Sequence, residues 1–183
     1  MGPGYQWSRD GAFYVDVVSD PSATATYGSR YVFARLDQQQ ISANIRLSVS
    51  FSPTMSLQFY GQPLIAVGRY SDYKELARPK SLDFVGQGAG AWTYDPATRE
   101  FDPDGPSGPA APTVNDFNTK SLRGNAVFRW EYMPGSALYL VWTQQRNDYE
   151  STPDFNVGPS FSRLLSAAAD NIFLAKVTYY MHL

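Results

Sequence analysis

Ile41-Ser-Ala-Asn-Ile-Arg-Leu-Ser-Val-Ser-Phe-Ser52 alternates without a miss. Ile41, Ala43, Ile45, Leu47, Val49 and Phe51 fall on one face of an extended chain. Ser42, Asn44, Arg46, Ser48, Ser50 and Ser52 fall on the other. A period of two over this length predicts a β-strand, because successive side chains of a strand point to opposite faces. The run is long against the usual strand of about 5–6 residues.

Working outward, the pattern resumes after Ser52-Pro53-Thr54. Met55, Leu57, Phe59, Ile65 and Val67 share a face with Gly61 and Pro63, opposite Ser56, Gln58, Tyr60 and Gln62. Proline has no N–H for a ladder, so a bulge or local break is expected at Pro63. From Leu122 to Tyr132 the even positions carry Leu122, Gly124, Ala126, Phe128, Trp130 and Tyr132, against Arg123, Asn125, Val127, Arg129 and Glu131. Met133-Pro-Gly-Ser136 reads as a tight turn. A further strand follows with Leu138, Leu140 and Trp142 on one face, and a last run sets Phe173, Ala175, Val177, Tyr179, Met181 and Leu183 against Lys176, Thr178, Tyr180 and His182. Less clean runs lie near 12–18 and 27–36. A helical period is present at most over Phe161–Ala169. The expected fold is all-β, an antiparallel up-and-down meander of about seven long strands in one unit, 1–183.

Connections then fall near 19–26, 37–40, 52–54, 69–117, 133–136 and 147–170. In a meander, alternate connections lie at alternate ends. The first, third and fifth are expected to share one end; the long fourth and sixth share the other. Short turns opposite long loops is the layout of a transmembrane outer-membrane β-barrel. Two more features point the same way: strands long enough to cross a bilayer at a tilt, and Trp130, Tyr132, Tyr179 and Met181 beside short turns, where an aromatic girdle belongs. Against it stand a last residue Leu183 where such strands commonly end on Phe, and an odd strand count below the eight of the smallest bacterial barrels. An open sheet edge is not viable in lipid. The segment is therefore expected to be a fragment of a larger barrel, or to close by pairing with another protomer. The alternative is a soluble β-sandwich or lipocalin-like ligand-binding module.

Composition narrows the function classes. Charged residues are 17% and aromatics 15%, with 13 Tyr and 11 Phe, which suits half-buried pleated surfaces. A net charge of −2 gives no electrostatic footprint for nucleic acid. There is no cysteine and one histidine, His182, which closes off disulfide and thiolate chemistry, Ser-His-Asp triads and multi-histidine metal sites. No apolar run is long enough for a transmembrane helix. Met1-Gly-Pro-Gly-Tyr-Gln has neither the basic nor the apolar part of a signal peptide, so a signal is expected upstream in a longer precursor.

Several segments together resemble one family: Tyr5-Gln-Trp-Ser-Arg-Asp-Gly, Ala25-Thr-Tyr-Gly-Ser-Arg-Tyr-Val-Phe-Ala, Leu36-Asp-Gln, Tyr73-Lys-Glu-Leu-Ala-Arg-Pro and Asp116-Phe-Asn, then Ser121-Leu-Arg-Gly-Asn-Ala-Val-Phe-Arg-Trp-Glu-Tyr-Met-Pro-Gly-Ser, Leu140-Val-Trp-Thr-Gln and Asp170-Asn-Ile-Phe-Leu-Ala-Lys-Val. They are similar to the C-terminal end of bacterial proteins carrying the domain of unknown function 5916. The resemblance implies an outer-membrane barrel preceded by a carbohydrate-binding family 9-like domain that this chain lacks. It transfers no catalytic residue. It implies a bacterial outer-membrane location and hardly bears on biochemical function; the working expectation is glycan or solute handling at the cell surface by the full-length parent.

Among the residues, Arg46, Arg123, Arg129, Glu131 and Lys176 are the candidate lumen-lining charges. They read either as a solute-selecting pore lining or, the preferred reading, as ion pairs bracing the wall, with Arg129 and Glu131 satisfied locally. Asp102-Pro-Asp-Gly has calcium-loop spacing but lacks a third acid and a distal Glu, so a solvated turn is preferred. Asp148, Glu150 and Asp154 offer carboxylates, yet no pocket for the acid pair of a glycosidase. Trp92, Tyr94, Phe101 and Tyr149 suit sugar stacking and loop packing equally. No catalytic residue, metal or cofactor is expected. The partners expected are outer-membrane lipid, strands that complete the sheet and, for the parent, glycans.

Overall fold

A computed structural model describes residues 2–86, 93–95, 100–102 and 116–181. In chain order the elements are β1 (Pro3–Ser19), a single 3-10 turn (Thr24–Thr26), β2 (Ser29–Ala43), β3 (Ile45–Ser52), β4 (Met55–Leu76) and β5 (Phe84–Gly86). There follow β6 (Thr93–Asp95), β7 (Glu100–Asp102), β8 (Phe117–Met133), β9 (Ser136–Glu150), α1 (Val157–Ser166) and β10 (Ala169–Thr178). The main sheet has the order β1-β2-β4-β8-β9-β10, with β3 and β5 also paired to β4. Every pairing is antiparallel. The fold is thus an all-β meander. The sheet is open, with β1 and β10 as its two ends. β6 and β7 pair only with each other.

The break expected at 37–40 does not occur. Asp37, Gln38, Gln39 and Gln40 pair with Arg69, Gly68, Val67 and Ala66 on one side, and with Arg9, Ser8, Trp7 and Gln6 on the other. Asp and Gln are weak strand formers, but a central strand satisfies their backbone on both edges, and tertiary pairing overrides propensity. The interruption lies at Asn44 instead. Ser42 faces Leu64 and Ile45 faces Gly61, so β3 continues β2 in the same register. Pro63, opposite the last residue of β2, supplies no N–H to the ladder. The proline therefore breaks its partner strand without inserting a residue. Counted as lines of backbone, the sheet has six long strands: β1, β2 with β3, β4, β8, β9 and β10.

This count moves the first connection. The two-residue hairpins at Pro53-Thr54 and Pro134-Gly135 share one end of the sheet, as expected, and Gly135 takes the positive φ (77°) of a tight turn. The connections 77–116 and 151–168 share the other end, and 20–28 joins them instead of the hairpins. The strands also run further into the long connections than the sequence suggests, to Leu76 and Glu150. At its far end β10 stops at Thr178, short of the strand expected to carry Leu183; residues 182–183 lie outside those described.

At the loop end, Val32, Ala34 and Tyr73 are buried against Val15, Val18 and Tyr70. Asp72 (φ 50°) sits where the β2–β4 register shifts between Phe33 and Arg35, and the bulge bends the strands over this small core. The connection 20–28 is closed by charge. Arg30 donates to Asp20 and to both oxygens of Glu75, at 3.1 and 3.0 Å. The Ser22 hydroxyl and amide also donate to Asp20, each at 2.8 Å. These bonds to the ionised form, Ser22 first and Arg30 next, hold the Asp20 carboxyl below its ordinary range.

Candidate functional site: two faces and a fastened helix

Residues directly opposite in an antiparallel ladder share a face. Arg46 faces Tyr60, Tyr60 faces Asn125, and Asn125 faces Thr143. Gln62 faces Arg123, while Arg129 and Lys176 both face Tyr139. By strand parity Glu131 joins them, so all five candidate charges fall on one face. The structure does not gather them into one cluster. Arg129 donates to Glu131 at 2.7 Å and to the Tyr139 hydroxyl at 3.4 Å, the local pairing expected from sequence. The Arg46 guanidinium lies 5.4 Å from the Tyr60 ring centroid, within cation–π range. Among the described residues Arg46, Arg123 and Lys176 form no ion pair. Two hollows open on this face, one of about 450 Å³ beside Arg46, Gln58, Tyr60 and Asn125, the other of about 300 Å³ beside Gln40, Gln62 and Arg123.

The opposite face is apolar over the hairpin half. One ladder row reads Met55, Trp130, Leu138 and Val177; two rows higher on that face stand Leu47, Phe59, Ala126, Trp142 and Phe173. Leu47 (57%), Trp130, Phe173 (76%) and Val177 are exposed, and Met55, Phe59, Ala126, Leu138 and Trp142 are half-buried. Toward the loop end the character reverses. This face gains Arg9, Arg35, Asp37 and Asp72, with Asp37 and Asp72 both paired to Arg35. The once-polar face passes on β2 from Ser42, Gln40 and Gln38 to Leu36, Ala34 and Val32, which are buried.

On the apolar face, where it turns polar, lies the one fully buried amine among the described residues. Lys120 donates to Asp148 Oδ2 at 2.8 Å and to Glu150 Oε2 at 2.6 Å, and its side chain has no exposed surface. Helix α1 covers it. Arg163 bonds Glu150 from the helix, and Arg146 donates to the carbonyls of Leu165 and Ala167 at the helix end. Asn118 donates to the Asp154 carbonyl at 3.0 Å. The carboxylates of Asp148 and Glu150 are thus paired with Lys120 and Arg163.

The helix itself begins at Asn156 in extended geometry, with Pro159 in its first turn, where a missing N–H costs nothing. No group of three or more His, Cys, Asp or Glu is placed to hold a metal among the described residues. The Asp102-Pro-Asp-Gly spacing falls mostly outside those residues, as do Trp92 and the side chains of Tyr94 and Phe101. Tyr149 is exposed. The lysine cluster escaped sequence reading. Its one signal was a charge on the same parity as Leu122, Gly124 and Ala126, where only apolar or small residues were anticipated.

A family model described as a domain of unknown function (DUF5916) matches residues 12–183. The chain belongs to the DUF5916 family. No curated protein and no solved structure matches it. Within this DUF5916 chain the match takes in every main-sheet strand, β1 in part. No helix among the described residues is long and apolar enough to cross a membrane, which says nothing of strands.

Proposed function

We propose that this DUF5916 chain forms part of the wall of an outer-membrane β-barrel, its apolar face toward lipid and its polar face toward a water-filled lumen. The observation that carries the reading is the slope of the boundary between apolar and polar residues. On β4 the boundary falls between Val67 and Arg69, on β8 between Leu122 and Lys120, on β9 between Trp142 and Gln144, and on β10 between Phe173 and Asn171. Trp7 and Arg9 bracket it on β1, in the same rows as Val67 and Arg69.

Trp142 and Phe173 share the row of Phe59. Across the sheet the boundary therefore descends from the row of Val67 to that of Phe59. Averaged from β1 to β10 this is ~26 Å along the strands for ~24 Å across them, from standard rise and spacing. The drop falls between β4 and β9, and β2 turns polar at Gln39, in the row of Val67. A level surface cuts strands that way when they incline by ~45°, as membrane strands do. The apolar face of β4 from Met55 to Val67 spans ~40 Å of strand. At that inclination it covers ~28 Å, close to the ~25 Å height of an outer-membrane apolar band.

A soluble sandwich would lay a second sheet over Leu47, Leu140 and Phe173, which are all exposed here. In lipid, the free edges of β1, β3 and β10 call for pairing by further strands of the parent or by another protomer. The unpaired Arg46, Arg123 and Lys176 suit a lumen that admits polar solutes, glycans or anions among them. Fractionation tests the reading. The parent protein is expected in the outer-membrane fraction and to need detergent for extraction. Recovery of this chain as a folded, soluble monomer without detergent would sink it.

A further inference from the structure

Helix α1 leaves an apolar stripe uncovered. Its polar Ser160 is buried (4% exposed), and its one charge, Arg163, reaches Glu150 while staying 58% exposed; Val157, Phe161 and Leu165, spaced one turn apart, stand exposed by 40%, 40% and 47%. Leu164 is the one apolar side chain it buries fully. Apart from Arg163, the exposed side carries no charged group. An amphipathic surface helix ordinarily turns the other way, apolar stripe inward and charges outward. The polar fastenings lie on the inner side: Glu150 to Arg163, and Arg146 to the carbonyls of Leu165 and Ala167. Beside the helix an apolar crevice of about 120 Å³ runs between Phe161 and Val157 on one side and Ile41, Pro63 and Ile65 on the other. Ile41 is the last apolar residue before Gln39 on β2, and Ile65 stands one row below the boundary on β4. The crevice therefore opens at the level where the apolar face ends, on its lipid side.

We propose that α1 is a membrane-surface helix. It lies flat against the outside of the wall in the lipid leaflet nearest the long connections, with Phe161 and Leu165 among acyl chains and one chain seated in the crevice. The inference rests on the membrane reading and adds to it a lipid-binding surface outside the strands. An interfacial amphipathic helix sinks its apolar side ~5–10 Å into the headgroup and upper acyl region, which is where the belt boundary places α1.

Site-specific quenching tests this, and the chain has no native cysteine to interfere. Single cysteines at Phe161, Leu140 and Thr152 carry an environment-sensitive fluorophore in the full chain, reconstituted in phosphatidylcholine bilayers. The bilayers contain lipid with a nitroxide either near the headgroup or near the acyl end. The label at 161 is expected to be quenched at least twice as strongly by the shallow nitroxide as by the deep one. The label at 140, within the apolar belt, should favour the deep nitroxide, and that at 152 should respond to neither. A quenched 140 with an unquenched 161 overturns the helix proposal and leaves the barrel standing. Silence at both positions overturns both. Deep quenching at 161 equal to shallow also overturns it, since the helix would then sit in the membrane interior. Leu165→Cys gives an independent reading should Phe161→Cys disturb packing.

Discussion

Lys120 Nζ lies 2.6 Å from Glu150 Oε2 on a side chain with no exposed surface, in the sheet face that is otherwise apolar below it. The amine has two carboxylate partners, Asp148 and Glu150, each 27% exposed. Desolvating a lone ammonium is costly, so the cluster holds only while its charges balance.

Removal of the amine alone is therefore expected to be severe. Lys120→Met leaves Asp148 without its cation and Glu150 with Arg163 alone, and breaking a buried pair costs about 3–5 kcal/mol. The loss should fall at the lower end, because both carboxylates keep some water. Thermal unfolding in detergent measures it. The double variant that adds Asp148→Asn keeps the Glu150–Arg163 pair and should recover a large part, whereas equal damage in single and double variants would mean that charge balance is not what holds the cluster.

The assignment of faces is testable on β3, where Leu47 and Ser48 are neighbours with opposite orientation. Leu47→Arg is expected to damage membrane assembly far more than Ser48→Arg. An arginine on the lipid face near mid-bilayer costs about 2–4 kcal/mol, while one in the lumen meets water. The readout is the folded fraction by heat-modifiable gel mobility. Equal effects, or the reverse order, would reverse the faces.

Six strand lines instead of seven give a topology that single cysteines can check. In cells carrying the parent protein, Ala25→Cys and Thr152→Cys should both react with an impermeant reagent from outside. Pro134→Cys should react only after the outer membrane is opened. Labelling of position 134 in intact cells, with the other two silent, would invert the orientation. Labelling of 152 without 25 would restore a seventh crossing.

Connection 20–28 should depend on pH through Asp20. Its folded pKa is depressed by Ser22 and Arg30, so its contribution is fully present above the ordinary aspartate pKa of about 3.9 and fades as pH falls through the lower folded value. Amide exchange in 20–28 should stay protected at neutral pH and rise only in strong acid. Asp20→Asn should raise it at every pH. A variant with unchanged protection at neutral pH would show that the Asp20–Arg30 contact does not close the connection.

Much of the architecture was legible because alternation is a local property. Ile41–Ser52, Met55–Val67 and Leu122–Tyr132 announce their faces residue by residue, and Pro53 and Pro134-Gly135 announce the turns. Asp37-Gln-Gln-Gln40 misled because its strand character comes wholly from neighbours on both sides, which propensity does not contain. Helix α1 was half visible. The apolar spacing of Phe161, Leu164 and Leu165 marks it, but Asn156-Val-Gly-Pro159 reads as a turn, and helix starts tolerate that composition. Of the site, the polar face was readable by parity and the Arg129–Glu131 pair by proximity. The burial of Lys120 was not, since it depends on a helix that returns to the wall some forty residues later.

The pairing of β4 with β8 holds one register from Met55–Trp130 to Gly68–Phe117, although the connection between the two strands is by far the longest in the chain. Each strand thus finds its partner in the next long strand, whatever lies between. A wall of this kind can lengthen by duplication of a hairpin, and its connections can grow or shrink, without re-threading any neighbour. If the sheet closes as proposed, its bore is set by the number of hairpins, separately from the loops that decorate its rim.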